Sequence, residues 1–429
     1  MILRKLSICG VIAVFAGQCF AQKLTMEEAI RLAKLNNGTF KAAQQDLIAA
    51  KERKTQAYSA FMPTLTPSAS YTDSLREIPN AQVGASSAEF SQTSTQVALS
   101  WTPLDAGQRL AQLRAAREGV SSQAAQTQQT LRQLIFNVES QFLETLRSQE
   151  LEKVANAQLD RSNKVLDQTK TRVQVGDAAR REILQAEADA LNAKVNSITA
   201  KNQTNTNGAT LKATIGYQKD YDTPDLEPVT FSEESDLPKT IEDAVNMGLG
   251  TRPDLISRRK SVDSQAQSVK VTEINAGLTW SLDLSYSRQF SPDTSSNRNA
   301  SFLLSYPLFD GGKNKSMVSE QRASLRGSRY LLSQAEKDAR SEIESTYLTY
   351  HQNVEALSAA DLALKAARLN FEAADGSQKA GAASLLDVIT AQVSLVTAES
   401  NYIQATYDLL ISQLKLRLVT GLQMPGEEI

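Results

Sequence analysis

Few side chains in this sequence could carry out covalent chemistry. His351 is the only histidine, and a catalytic imidazole needs an orienting partner and a pocket. Neither has a candidate here, so His351 reads as an ordinary helix-surface residue. The two cysteines, Cys9 and Cys19, both precede Ala21, so the rest of the chain can form neither disulfides nor thiolate metal sites. No glycine-rich phosphate loop follows a strand pattern, and no ligand set has metal-binding spacing. No cofactor or metal is expected, and an enzyme lacks candidate residues. What recurs instead is a carboxylate: Glu182 follows Gly176 by six residues, and Asp387 follows Gly381 by six. A carboxylate opening a helix is favoured by the helix dipole, which would make Asp387 the cap of a returning helix. Arg180 and Arg181 stand beside Glu182 as possible partners. The chemistry offered is electrostatic.

These two carboxylates occupy one position of a duplicated unit. The run LTMEEAIRLAKLNNGTF from Leu24 returns at Lys239 as KTIEDAVNMGLGTRPDL, a shift of 215 residues that holds from Ala29/Ala244 through Tyr71/Tyr286. The shift then drops to 205: SWTPLDAG at Ser100 matches SYPLFDGG at Ser305, Ala186 matches Ala391, and LKATIG at Leu211 matches LRLVTG at Leu416. A unit of about two hundred residues exceeds any solenoid repeat and is a folding module. The expected organisation is a leader 1–21, a first repeat 22–217, a linker 218–238, a second repeat 239–422 and a tail 423–429.

Arg4 and Lys5, the apolar run Leu6 to Phe15 and the small-x-small Cys19-Phe20-Ala21 read as a signal peptide cleaved after Ala21. The apolar run is too short to span a membrane as a helix. Lipid modification of Cys19 is the alternative, and Ala16-Gly17-Gln18 fits it poorly. Removing Arg4 and Lys5 from a chain with formal net charge −2 leaves −4. No basic block appears, so nucleic-acid binding is excluded as a class.

Each repeat reads helix, strand, strand, very long helix, helix. Thr25-Met26-Glu27-Glu28 and Thr240-Ile241-Glu242-Asp243 are helix-start signatures, and breaks near Asn36-Asn37-Gly38 and Gly250-Thr251-Arg252-Pro253 separate a second helical stretch. Alternation follows. Leu278, Trp280, Leu282, Leu284 and Tyr286 oppose Thr279, Ser281, Asp283, Ser285 and Ser287. Phe302, Leu304 and Tyr306 alternate with Leu303 and Ser305, and Val97, Leu99 and Trp101 with Ala98, Ser100 and Thr102. Thr64 to Ser74 alternates more weakly, with Leu65, Ala69 and Tyr71 on one side. Period two means strands with one apolar and one polar face, in hairpins at about 64–104 and 278–309. Two readings remain open: a sheet packed on a protein core, or a transmembrane β-barrel with its apolar face to lipid. Tyr71, Trp101, Trp280, Tyr286 and Tyr306 all lie on the apolar faces, as rings at a membrane interface do. The stretches Leu75 to Gln92 and Ser291 to Arg298, polar and serine-rich, are expected as extracellular loops.

Pro103-Leu104-Asp105-Ala106-Gly107 and Leu308-Phe309-Asp310-Gly311-Gly312 then form hinges. From Ala106 to Val173 no proline interrupts a helical pattern about 100 Å long, with a stripe at Leu131, Leu134, Ile135, Val138, Phe142 and Leu146. Ala178 to Ile215 and Ala383 to Thr420 supply antiparallel partners. A free-standing coiled-coil hairpin would leave the strands unexplained.

At this point the sequence resembles the outer-membrane efflux proteins, the TolC-like exit ducts of Gram-negative bacteria. The resemblance covers nearly all of the mature chain. It rests on Leu308 to Gly312 after a strand, on Gly176 and Gly381 with Glu182 and Asp387, and on Leu416 to Gly421, all repeated at fixed spacing. It implies a mixed α/β membrane protein: a homotrimer in which four strands per chain build one shared 12-stranded barrel, continuous with a periplasmic α-barrel. A four-stranded sheet alone would leave open edges in lipid. The resemblance implies a passive export channel of a tripartite efflux pump or type I secretion system, opened by a periplasmic adaptor and an inner-membrane pump. It places adaptor contact at two tips, around Gly176, Asp177 and Glu182 and around Gly381, Ala382 and Asp387. Three copies of Asp387 would there form an acidic ring that attracts cations. Thr390 stands where some relatives carry a second acid, and Asp177-Ala178 and Ala382-Ala383 are small for the family. The rival from another class is a trimeric surface-anchored coiled-coil structural or adhesive protein.

Overall fold

The computed structural model describes residues 23–80, 84–176, 178–217, 225–229, 236–291, 293–380 and 382–427. The expected leader with Cys9 and Cys19, most of the expected linker, Asp177 and Gly381 lie outside the described residues. The elements are α1 (Met26–Asn36), α2 (Gly38–Ser59), β1 (Thr64–Asn80), β2 (Gly84–Asp105), α3 (Gln108–Gln174) and α4 (Arg180–Ile215). They continue as α5 (Ile241–Thr251), α6 (Pro253–Ala276), β3 (Thr279–Ser291), β4 (Ser295–Ser305), α7 (Lys313–Lys379) and α8 (Leu385–Thr420).

Local chemistry sets the helix starts. The Thr25 hydroxyl accepts the Glu28 amide at 3.1 Å, and the Thr240 hydroxyl accepts the Asp243 amide at 3.1 Å. Asn37 both breaks and restarts: its side-chain Oδ1 accepts the Phe40 amide at 3.1 Å and caps α2. At the equivalent break Pro253 opens α6 at a position where its missing N–H costs nothing. The two long helices are 67 residues each, and the stripe residues Leu131, Ile135, Val138, Phe142 and Leu146 are all buried.

The four strands form one antiparallel sheet in the order β1-β2-β3-β4. The first hairpin corrects one expectation. Within the stretch expected as a loop, 75–80 and 84–92 are strand: β1 and β2 stay paired from Thr64↔Ser100 out to Asn80↔Gly84. Ladder hydrogen bonds are made by backbone, so a run of serines and alanines continues a strand wherever a partner strand runs alongside. The second stretch is likewise shorter as a loop, since pairing already holds at Gln289↔Ser295.

The chain divides into two compact units, each drawing segments from both repeats. One comprises residues 34–137, 234–359 and 408–429 and holds the sheet. Its helical core joins Ala244 and Val245 of α5, Ile343 and Tyr347 of α7, and Leu416 and Val419 of α8. Gly248 makes this approach possible, because a Cβ there would lie 2.5 Å from Ile343 Cδ1 and 2.9 Å from the Val419 carbonyl oxygen. The tail also docks in this unit. Glu427 accepts from Arg132 Nε at 2.6 Å, from Gln128 at 3.1 Å and from the Met424 amide at 2.9 Å. The other unit comprises residues up to 33, 138–233 and 360–407. There Leu364, Leu395 and Ala398 pack with Phe371 and Tyr402. A polar tie crosses three helices: Ser162 donates to Asp189 at 2.7 Å and accepts from Gln392 Nε2 at 3.0 Å.

Candidate functional site: an open sheet and two helical tips

The apolar side of the sheet is bare. Leu65, Tyr71, Leu278, Phe302, Leu304 and Tyr306 are all exposed, which no sheet packed on a protein core would show. The expected interface aromatics sit on this side with different settings. Tyr71 is 68% exposed and Tyr306 60%, whereas Trp101, at 39%, donates its indole N–H to the Phe61 carbonyl at 3.0 Å. Trp280 lies 6.5 Å from the Phe302 ring, and Tyr286 is half-buried with the Arg298 guanidinium 5.9 Å from its centroid. Phe290, also exposed, extends the apolar band beyond Tyr286. It continues the same alternation one step past Arg288, whose charge hides the pattern in sequence.

The polar side carries a cluster that motif reading missed. Asp283 accepts from Thr102 at 2.6 Å and from Ser281 at 2.8 Å. It is the one charged residue on the polar face between Leu278 and Ser287, and that was its only signal. Nearby, Asp105 Oδ2 accepts both the amide and Nε of Arg109, at 2.9 and 2.8 Å. Arg109 in turn donates to the Ala60 carbonyl at 2.8 Å and lies 5.0 Å over the Phe61 ring.

At the first tip α3 is followed by Gly176, whose φ of +81° is the left-handed turn that suits glycine. Ala179 precedes α4 and has no side-chain acceptor. Among the described residues only one half of a cap forms there: Glu182 accepts the Ala179 amide at 3.3 Å. Among the described residues no ion pair joins Glu182 to Arg180 or Arg181. The described residues of the second tip make more cap bonds. Ala382 donates its amide to the Ser377 carbonyl at 2.8 Å. Asp387 accepts from the Ser384 amide at 2.9 Å and hydroxyl at 2.8 Å, while the Ser384 oxygen accepts the Asp387 amide at 3.2 Å. This is a reciprocal capping box. The Ser384 hydroxyl and then its amide hold the Asp387 carboxyl below the usual carboxylate range. Asp387 is exposed and charged, so capping and presenting charge to solvent are compatible.

A sheet with a bare apolar face, two free edges and two helices of this length has a counterpart among known families. The model of the outer membrane efflux proteins matches residues 29–217 and 244–422. The chain belongs to this family. Among curated relatives it is 23% identical over 416 residues to "Outer membrane protein TolC" of Salmonella enteritidis, covering 94% of this chain and 82% of that one. It is 22% identical to "Outer membrane efflux protein BepC" of Brucella suis, covering 95% and 87%. Its fold is that of the Campylobacter jejuni CmeC outer membrane channel, with a TM-score of 0.80 at 18% identity over 92% of this chain and 85% of that one. As an outer membrane efflux protein it sets its strands in the outer membrane and extends its helices into the periplasm. The family is one of channels rather than enzymes, and membership does not favour the adhesive spacer.

Proposed function

We propose that this efflux protein is a passive exit duct that works as a homotrimer and performs no catalysis. The observation that carries this reading is the open sheet. Among the described residues both β1 and β4 lack an outer neighbour, and unpaired N–H and C=O groups in hydrocarbon cost several kcal/mol each, so lipid-embedded strands must close into a barrel. Three copies of four strands do so, with the exposed aromatic face turned to lipid. In this reading the tips at Gly176, Asp177 and Glu182 and at Gly381, Ala382 and Asp387 receive a periplasmic adaptor, and an inner-membrane pump supplies the energy. Tripartite efflux and type I secretion both fit such a duct.

Apolar stripes on the helices support association. Leu184, Leu191 and Ile198 recur every seven residues along α4 and stay exposed in the single chain, as do Leu362 and Leu369 on α7. Heptad-spaced apolar positions pack against a neighbouring helix. Conductance across planar lipid bilayers tests the duct. Purified protein should form cation-preferring channels, and Asp387→Ala should lower that preference and weaken block by multivalent cations. Absence of conductance would remove the duct, whereas unchanged selectivity in Asp387→Ala would remove only the acidic ring.

A further inference from the structure

The internal duplication fixes more than the fold, because it prescribes how one copy meets the next. Moving β1 by 215 residues and β2 by 205 converts Thr64↔Ser100 into Thr279↔Ser305, Ser70↔Ser94 into Ser285↔Asn299, and Tyr71↔Thr93 into Tyr286↔Arg298. All of these pairs are observed. A side-chain bond repeats with them: Thr64 Oγ1 donates to the Ser100 carbonyl at 3.3 Å, and Thr279 Oγ1 to the Ser305 carbonyl at 3.2 Å. The two hairpins are therefore equivalent without slip. The ladder between them, β2 on β3, has its own equivalent, which is β4 against β1 of a second copy.

The geometry points to an intersubunit ladder in which β4 of one protomer pairs antiparallel with β1 of the next, with Leu304 opposite Tyr71, Ser305 opposite Ser70 and Leu303 opposite Thr72. This rests on the trimeric reading above and adds the register to it. The parent pairs in the chain are Leu99↔Tyr286, Ser100↔Ser285 and Ala98↔Ser287. The first two return with the same residue types, leucine on tyrosine and serine on serine. Trp101↔Leu284 becomes Tyr306 opposite Ala69, keeping an aromatic ring on the exposed face. The in-chain ladder shifts register between Trp101 and Leu104, and the equivalent shift falls between Tyr306 and Phe309. There β4 has already ended, at Ser305, and Pro67 of the facing strand, close to the equivalent shift, has no N–H to donate. A slip of one residue would turn the apolar face inward. The competing registers are slips of two, which would set Leu304 against Asp73 or Ala69 and lose the leucine–tyrosine pair.

Paired cysteines in the full-length protein test the register. The only native cysteines, Cys9 and Cys19, are confined to the leader. Ser70→Cys with Ser305→Cys should form disulfides after mild oxidation in the outer membrane and give covalent dimers and trimers on a non-reducing denaturing gel. Within one chain these positions are three strand spacings apart, about 14 Å, beyond the Cα separation of about 4.4–6.8 Å that a disulfide allows. The slipped pairs Ser70→Cys with Leu303→Cys and Thr72→Cys with Ser305→Cys should lose the cross-link, their Cα atoms being about 7–8 Å apart. Thr72→Cys with Leu303→Cys is a second direct pair and decides the matter if the first does not assemble. Cross-linking by a slipped pair instead, or by no pair in protein of trimeric native mass, would overturn the register and leave the trimer standing. A monomeric mass for the unsubstituted protein would overturn both.

Discussion

At the end of β2, Asp105 holds both the backbone and the side chain of Arg109. At the end of β4 the equivalent Asp310 accepts only backbone amides, of Gly312 at 2.9 Å and Asn314 at 2.8 Å. Asn314 stands where Arg109 stands in the first repeat. The shared aspartate is enough to start each long helix, since its carboxylate satisfies amides that have no partner in a first turn. The arginine adds a tie to Ala60 and Phe61 that the second hinge lacks. The surroundings differ as well: Leu308 and Phe309 are each 91% exposed, whereas Leu104, the equivalent of Phe309, pairs with Leu282. The first hinge is flanked on both sides by its own chain. The second lies at a sheet edge whose neighbour, in the trimer, belongs to another copy.

Removing Arg109 should expose this asymmetry most strongly. Its side chain and that of Asp105 are only 11% and 19% exposed, and breaking a buried pair by deleting one partner costs about 3 kcal/mol. Arg109→Ala should therefore lower the denaturation midpoint in mild detergent far more than Asn314→Ala, for which about 0.5 kcal/mol or less is expected. Equal effects would mean that the arginine tie contributes nothing. Next comes the helical core of the second repeat, where Gly248 and Ile343 are the counterparts of Ala33 and Val138. The smaller helix residue there accompanies the larger neighbour. Gly248→Ala should cost about 1–3 kcal/mol by overpacking, and adding Ile343→Val should recover part of it. Additive losses would show that the two side chains do not compete for space.

The tips repeat the lesson on a smaller scale. Ser384→Ala removes the hydroxyl from the reciprocal cap and should cost about 1 kcal/mol, read as faster amide exchange over residues 385–388. Ala179→Ser should slow exchange at the start of α4. No change in either would reduce the caps to incidental contacts.

Much of this was legible in sequence, and the exceptions have physical causes. The helix expected from Ala106 to Val173 runs from Gln108 to Gln174, because an unbroken apolar period with no proline leaves few alternatives. The carboxylates at Glu182 and Asp387 fall in first turns as expected. Ser384, the partner of Asp387, was not among the expected cap residues, although Ser-x-x-Asp is a readable cap. Strand length was underestimated because backbone pairing beyond Leu75 needs a partner strand rather than apolar side chains. The docking of Glu427 on Arg132 had no local signal at all, since it joins positions 295 residues apart. For that contact the effect expected is local to the tail. Burial raises the Glu427 carboxyl, but Arg132, the Met424 amide and Gln128 outweigh it and hold it below its ordinary value. A depressed carboxylate contributes stability that is complete above its unfolded pKa, about 4.3, and is lost as pH falls through the folded value. Proteolysis of the tail should accelerate in that acid range, and Glu427→Gln should remove the pH dependence. A pH dependence that survives in Glu427→Gln would assign it to another group.

The most direct test of the duct is the native mass of the protein extracted from outer membranes in mild detergent. Three protomers per particle is the expected result, because four strands with two free edges close only by recruiting further copies. A monomer, or release from the membrane without detergent, would show that the bare apolar face is covered by protein rather than lipid, and would contradict the duct.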